Sequence, residues 1–124
     1  DLEAEGRRLL FTGDVERRAE LALVSRDPEA LRCDLLKVAH HGSATSSSAP
    51  FLAAARPRLA LLSSGAGNRF GHPAAAVLAR LQQAGSRALR TDLCGGIVLR
   101  WRRGSPLDIS LPGSPRAVLG LPSE

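Results

Sequence analysis

The sequence predicts a layered α/β fold, and three observations carry that expectation. Short apolar runs alternate with segments whose apolar residues recur at helical spacing. Glycine, proline and aspartate punctuate each change of period. Polar residues of unusual character gather where the apolar runs stop: Asp14, the cluster His40-His41-Gly42-Ser43, and the loop from Asn68 to His72. Ligand sites of layered α/β proteins collect at the carboxyl ends of the strands, so these three places are the first to search for chemistry.

Arg7 to Thr12 reads as a strand that stops at Gly13-Asp14. A helix then runs from Val15 with Val15, Ala19, Ala22 and Leu23 inward and Glu16, Arg17, Arg18 and Glu20 outward; Asp14 stands at its N-cap and Asp27-Pro28 ends it. Cys33 to Ala39 is a buried strand running into the histidine pair, and residues 44–48 form a hydroxyl-rich loop. Ser48 caps a short helix with Pro50 in its first turn. Arg58 to Ser63 is a third strand, followed by a loop with three glycines. Pro73 opens a helix striped by Val77, Leu78 and Leu81 and closed by Gly85. Arg87 to Arg90 and Gly96 to Arg102 form a strand pair around a Thr91-Asp92 turn. Residues 1–103 thus read as the domain, and 104–124, rich in Ser, Pro and Gly, as a tail or linker.

With 124 residues, 44% hydrophobic and 23% charged, the chain suits one domain with one core and is too apolar for a disordered basic tail. No apolar run approaches the roughly 18 residues of a membrane-spanning helix, so no membrane contact is expected of this segment. The absence of methionine marks it as a piece of something longer. Cys33 and Cys94 have neither disulfide-scaffold density nor zinc-finger spacing and read as free thiols. The formal charge of +5 allows a phosphate-rich partner; all but Lys37 of the 17 basic residues are arginine, a bias that a GC-rich coding background also produces. Phe11, Phe51, Phe70 and Trp101 are too few for a platform that stacks several bases.

Asp14 alone is a turn residue and helix cap, and His40-His41 alone can be structural. On a strand, adjacent residues point to opposite faces, so only one of the pair would face a given site. A carboxylate at one strand end and an imidazole at the next are nevertheless the parts of a two-metal hydrolytic site. The hydroxyls of Ser43 and residues 45–48 either bond phosphate or make turns and caps.

Taken together, Leu9-Leu10-Phe11-Thr12-Gly13-Asp14-Val15-Glu16, Leu36-Lys37-Val38-Ala39-His40-His41-Gly42-Ser43, Ser46-Ser47-Ser48-x-x-Phe51-Leu52, Pro57, Ser63-x-Gly65-x-x-Asn68-Arg69-Phe70-Gly71-His72-Pro73 and Arg90-Thr91-Asp92 resemble the metallo-β-lactamase-fold domain of ComEC-type competence proteins. The resemblance covers roughly residues 7–101. It implies the carboxyl-terminal half of an αββα sandwich holding two divalent ions, zinc or manganese. Asp14 matches the carboxylate that bridges the ions, and His40 the ligand that completes the second. The His/Asp-rich motif of the first half is absent here, and Phe70 replaces the usual tyrosine, removing a phenol donor. His41 is either a group that contacts substrate or a packed structural histidine bonded to backbone, and the glycine-rich loop exposes Asn68 and His72 for contact with substrate.

Two functions of different class follow from the resemblance. One is part of a metal-dependent phosphodiesterase or nuclease domain of a DNA-uptake protein, with the DNA phosphate backbone as substrate and the rest of the parent chain as partner. The alternative is a catalytically idle interaction or gating module of the same channel protein. A hydrolase of small esters or thioesters is a third reading. In each of the first two the segment is a soluble domain of an inner- or plasma-membrane protein.

Overall fold

The computed structural model describes residues 2–4, 6–112 and 118–121. Five strands form one sheet in chain order: β1 (Leu2–Ala4), β2 (Arg7–Phe11), β3 (Leu35–Lys37), β4 (Leu59–Leu62) and β5 (Arg87–Arg90). β1 is antiparallel to β2, and the remaining neighbours are parallel. The helices α1 (Arg17–Arg26), α2 (Ala49–Ala55) and α3 (Ala75–Gln83) supply the crossovers. After the short helix α4 (Thr91–Cys94), β6 (Val98–Arg100), β7 (Leu107–Ser110) and β8 (Val118–Leu121) make an antiparallel sheet of their own.

Alternation along the parallel strands builds two cores from one sheet. Leu10, Leu36, Ala60 and Leu62 pack with Phe51, Leu52 and Ala55 of α2, Val77 and Leu81 of α3, and Val24 of α1. On the opposite face Leu9, Leu35 and Leu59 lie in register across three strands and, with Leu89, meet Leu107, Ile109 and Leu111. The layers are therefore helices, mixed sheet, antiparallel sheet. This is the expected α/β class, but the expected pair of Arg87–Arg90 with Gly96–Arg102 does not form: β5 lies parallel to β4, and β6 pairs with β7 in the second sheet.

Three expectations change. Residues 107–111, assigned to a tail, form β7 and its exit, and Leu107, Ile109 and Leu111 alternate at period two into the second core while Asp108 faces out. The rest of that stretch at 113–117 and 122–124 lies outside the described residues. Helix α1 begins at Arg17, with Glu16 and not Asp14 at its N-cap. Its inward residues are also different: Leu23 is exposed, whereas Glu20 is completely buried and Val24 packs one turn later.

Both cysteines are free, as their spacing suggests. Burial, reinforced by the negative charge of Asp34, pushes the Cys33 thiol up to about 12. Native protein at pH 8 is therefore expected to take iodoacetamide at Cys94 alone, because the thiolate is the nucleophile. Mass mapping of the alkylated peptides checks this; equal labelling of Cys33 would show that the segment leading into β3 opens readily.

Candidate functional site

Three turns at the carboxyl ends of β2, β3 and β4 meet at one end of the sheet. After β2, buried Thr12 donates its hydroxyl to the Lys37 carbonyl at the end of β3 (2.8 Å), and Gly13 turns with φ +55°. Asp14 is exposed in this turn. The Lys37 ammonium is held below its ordinary value by burial, against the opposing pull of the Asp14 charge.

The histidine pair does not continue the strand. Residues Ala39–Gly42 make a tight turn in which His40 (φ 48°) and His41 (φ 55°) are both left-handed, followed by Gly42 at φ +85°. Strict alternation of faces therefore does not apply to them. Each left-handed non-glycine residue costs about 1–2 kcal/mol, so the neighbours must fix this turn. They do so by four hydrogen bonds: His40 N–H to the Gly13 carbonyl (2.9 Å), Ser43 N–H to the His40 carbonyl (2.9 Å), Ala74 N–H to the Gly42 carbonyl (2.8 Å), and the His41 ring to the Ser63 carbonyl (2.7 Å). A carbonyl only accepts, so His41 carries its proton on Nδ1 and presents Nε2 as the acceptor when neutral.

The loop after β4 is closed by Asn68. Its amide donates to the Gly65 carbonyl (2.9 Å) and the His72 carbonyl (2.5 Å), and its oxygen accepts the His72 N–H (3.0 Å). Both amide hydrogens are thus engaged inside the loop. The His72 ring stands edge-on to His40 at 6.0 Å and stacks with Phe70 at 5.9 Å. Helix α3 begins only at Ala75, two residues after Pro73. His41, Ser64, Gly65, Asn68, Phe70 and His72 line a pocket of about 210 Å³.

The hydroxyl-rich loop turns inward. Ser46, Ser47 and Ser48 are buried. Ser46 donates to the Ala39 and Ser43 carbonyls, at 3.2 and 3.1 Å. Glu20 accepts the backbone N–H groups of Ser47 and Ser48, so a carboxylate from α1 caps α2, and the Ser48 hydroxyl does not. From the other side Arg80 gathers the carbonyls of Ala44, Ser46 and Ser47. Asp92, expected in a plain turn, lies in α4 and receives Arg90 through two bonds of 3.0 and 2.7 Å, which hold its carboxyl below the usual range.

His40, His41, Asn68 and His72 are therefore assembled at one place, and the Asp14 turn is hydrogen-bonded to the His40 turn through Gly13. Reasoning from residue types alone misses Glu16, whose Oε1 lies 3.7 Å from His40 Nδ1, and Glu20. The buried His40 Nδ1 has no hydrogen-bond partner among the described residues, as would suit a donor awaiting a cation or a proton. Yet among the described residues no three His, Cys, Asp or Glu side chains gather as a metal site needs. Asp14 and His40 alone do not fit a tightly held ion.

The chain is similar to the Competence protein ComA of Neisseria gonorrhoeae, 43% identical over 101 residues that make up 82% of this chain and 15% of that protein. Over 101 residues it is 38% identical to ComE operon protein 3 of Bacillus subtilis, covering 82% of this chain and 13% of that protein. It is 33% identical over 119 residues to the uncharacterized protein YcaI of Escherichia coli, covering 92% of this chain and 16% of that protein. The chain therefore spans only a small part of each relative's length. No family model and no solved structure matches it.

Proposed function

We propose, for a chain that is homologous to part of the bacterial competence proteins, a role as an interaction or gating module of a DNA-uptake protein. The observation that carries this reading is the donor count. The Asp14 and His40 turns are joined, but the described residues supply fewer than the three or four ligands that hold zinc tightly. What the chain does offer is a histidine-lined surface of fixed shape, on a segment whose net charge is +5. Its partners are the DNA phosphate backbone and the remainder of the parent protein. Among the described residues no helix is long and apolar enough to cross a membrane.

The layer order supports the finer reading of half a metallo-β-lactamase-like sandwich, whose remaining layer and ligands the parent chain would contribute. A hydrolytic role stands second, favoured by a His40 Nδ1 that has no hydrogen-bond partner among the described residues, with Glu16 at 3.7 Å, in a strained turn. In that reading the parent's donors join Asp14 and His40, while His41, held by the Ser63 carbonyl, and His72, held by Asn68, contact substrate.

A single assay separates the two. DNA binding and Mn²⁺-dependent cleavage are measured for this chain and for a longer piece of its parent protein, with Asp14→Ala and His40→Ala in the longer one. Binding by both without cleavage supports the module. Cleavage by the longer protein, abolished in both variants, overturns the idle module and establishes the hydrolase.

A further inference from the structure

We propose that Phe70 stacks one unpaired base of single-stranded DNA, whose edge enters the pocket lined by His41, Ser64 and His72. The inference rests on the DNA reading above and deepens it from phosphate contact to base contact.

Phe70 is 67% exposed, and a lone exposed apolar residue is by itself ordinary. Its setting is not. The ring lies nearly parallel to His72, with an interplanar angle of 28°, and the Arg69 guanidinium sits 5.1 Å from its centroid. His72 is itself tied to the loop through Asn68. The aromatic surface is thus presented at a fixed place with most of its area open, which suits a ligand with a flat π-face. At 210 Å³ the adjoining pocket is smaller than the roughly 300–1,000 Å³ of a drug-sized ligand site, so it takes one planar ring and leaves sugar and phosphate outside. A positive chain and the neighbouring Arg69 favour that anionic backbone; as the base arrives, the guanidinium can exchange the ring face for a phosphate.

The pocket contains few groups able to read a base. Asn68 has spent both amide hydrogens on the loop, and the His41 Nδ1 proton is committed to Ser63. The Ser64 hydroxyl is buried without a hydrogen-bond partner among the described residues and is the group that a base edge would satisfy. Stacking with so little hydrogen bonding gives a contact tolerant of sequence, as passage of a strand past a fixed point requires. Too few aromatics for a multi-base platform is no obstacle, because one subsite needs one ring.

Fluorescence anisotropy at low salt tests this with a labelled oligothymidylate and a strand of equal length and charge carrying abasic sites. The wild-type chain should bind the base-bearing strand about ten-fold more tightly. Phe70→Ala should bind both strands with the abasic affinity, and Phe70→Trp should restore the preference. Arg69→Ala should weaken both strands alike and flatten the salt dependence. Equal wild-type affinity for the two strands, or a preference that survives Phe70→Ala, overturns the stacking subsite while leaving the DNA reading intact. Binding of neither strand overturns the DNA reading and the subsite with it.

Discussion

Glu20→Ala is expected to lower the free energy of unfolding by about 3 kcal/mol, since it strands two buried N–H groups that a carboxylate satisfied. The Glu20 side chain has no solvent exposure, and its two oxygens take the Ser47 and Ser48 N–H groups, one oxygen each. Removing it leaves those donors facing a void at the start of α2, with Ser47 already at φ +54°. The Ser47 and Ser48 hydroxyls, buried and without hydrogen-bond partners among the described residues, offer no replacement bond from their present positions. Glu20→Gln keeps an acceptor for one N–H but opposes the other with an amide donor, so it should fall between wild type and alanine. Leu23→Ala, three residues on and exposed, should change stability by no more than about 0.5 kcal/mol. Urea midpoints of the three variants check the series; a Glu20→Ala midpoint equal to that of Leu23→Ala would show that the cap is dispensable.

Gly42→Ala should be comparably severe and should damage the site as well as the fold. A Cβ at position 42 would meet the Pro73 Cβ at 2.7 Å, the Pro73 Cα at 3.0 Å and a Leu62 methyl at 3.1 Å, while φ +85° is itself strained for any side chain. Two of these three obstacles belong to a proline, which cannot swing aside. The combined strain and overpacking cost about 3 kcal/mol, equivalent to a melting temperature lower by about 10 °C. Because Gly42 also accepts the Ala74 N–H, the shift would separate the His40 turn from the loop carrying His72. Melting curves and the ring proton resonances of the three histidines together test this. A stable variant with unmoved histidine signals would mean the two segments are not tightly apposed.

The central parallel strands β3 and β4 are legible in the sequence because both of their faces are covered: Leu35-Leu36 and the run Leu59 to Leu62 must be apolar throughout. The turns that bear the site are legible for a different reason, the glycines at 13 and 42 that permit sharp reversal. Helix α1 is misread where a carboxylate takes the inward position, a choice made by the distant N–H groups of residues 47 and 48 and invisible in local periodicity. The i, i+4 pair Glu20 and Val24, with Ser46-Ser47-Ser48-Ala49-Pro50 needing an acceptor, is the one trace of it. β7 is obscured by Gly104, Pro106 and Pro112, although Leu107, Ile109 and Leu111 alternate correctly. The pairing of Glu16 with His40 depends on where two turns settle, and no spacing rule contains it.

Because β1 to β5 lie side by side in the order in which they are synthesised, each strand reaching the ribosome exit finds its partner already made. No parallel strand has to wait for a later one to be inserted between neighbours. The helical face of the sheet is covered as it grows. On the opposite face Leu9, Leu35, Leu59 and Leu89 lack the cover of Leu107 and Ile109 until those residues emerge. For that interval the paired sheet lacks the apolar cover its second layer supplies, and a species with such a face is one on which a chaperone would act or aggregation would begin. A stop at residue 103 would make that interval permanent.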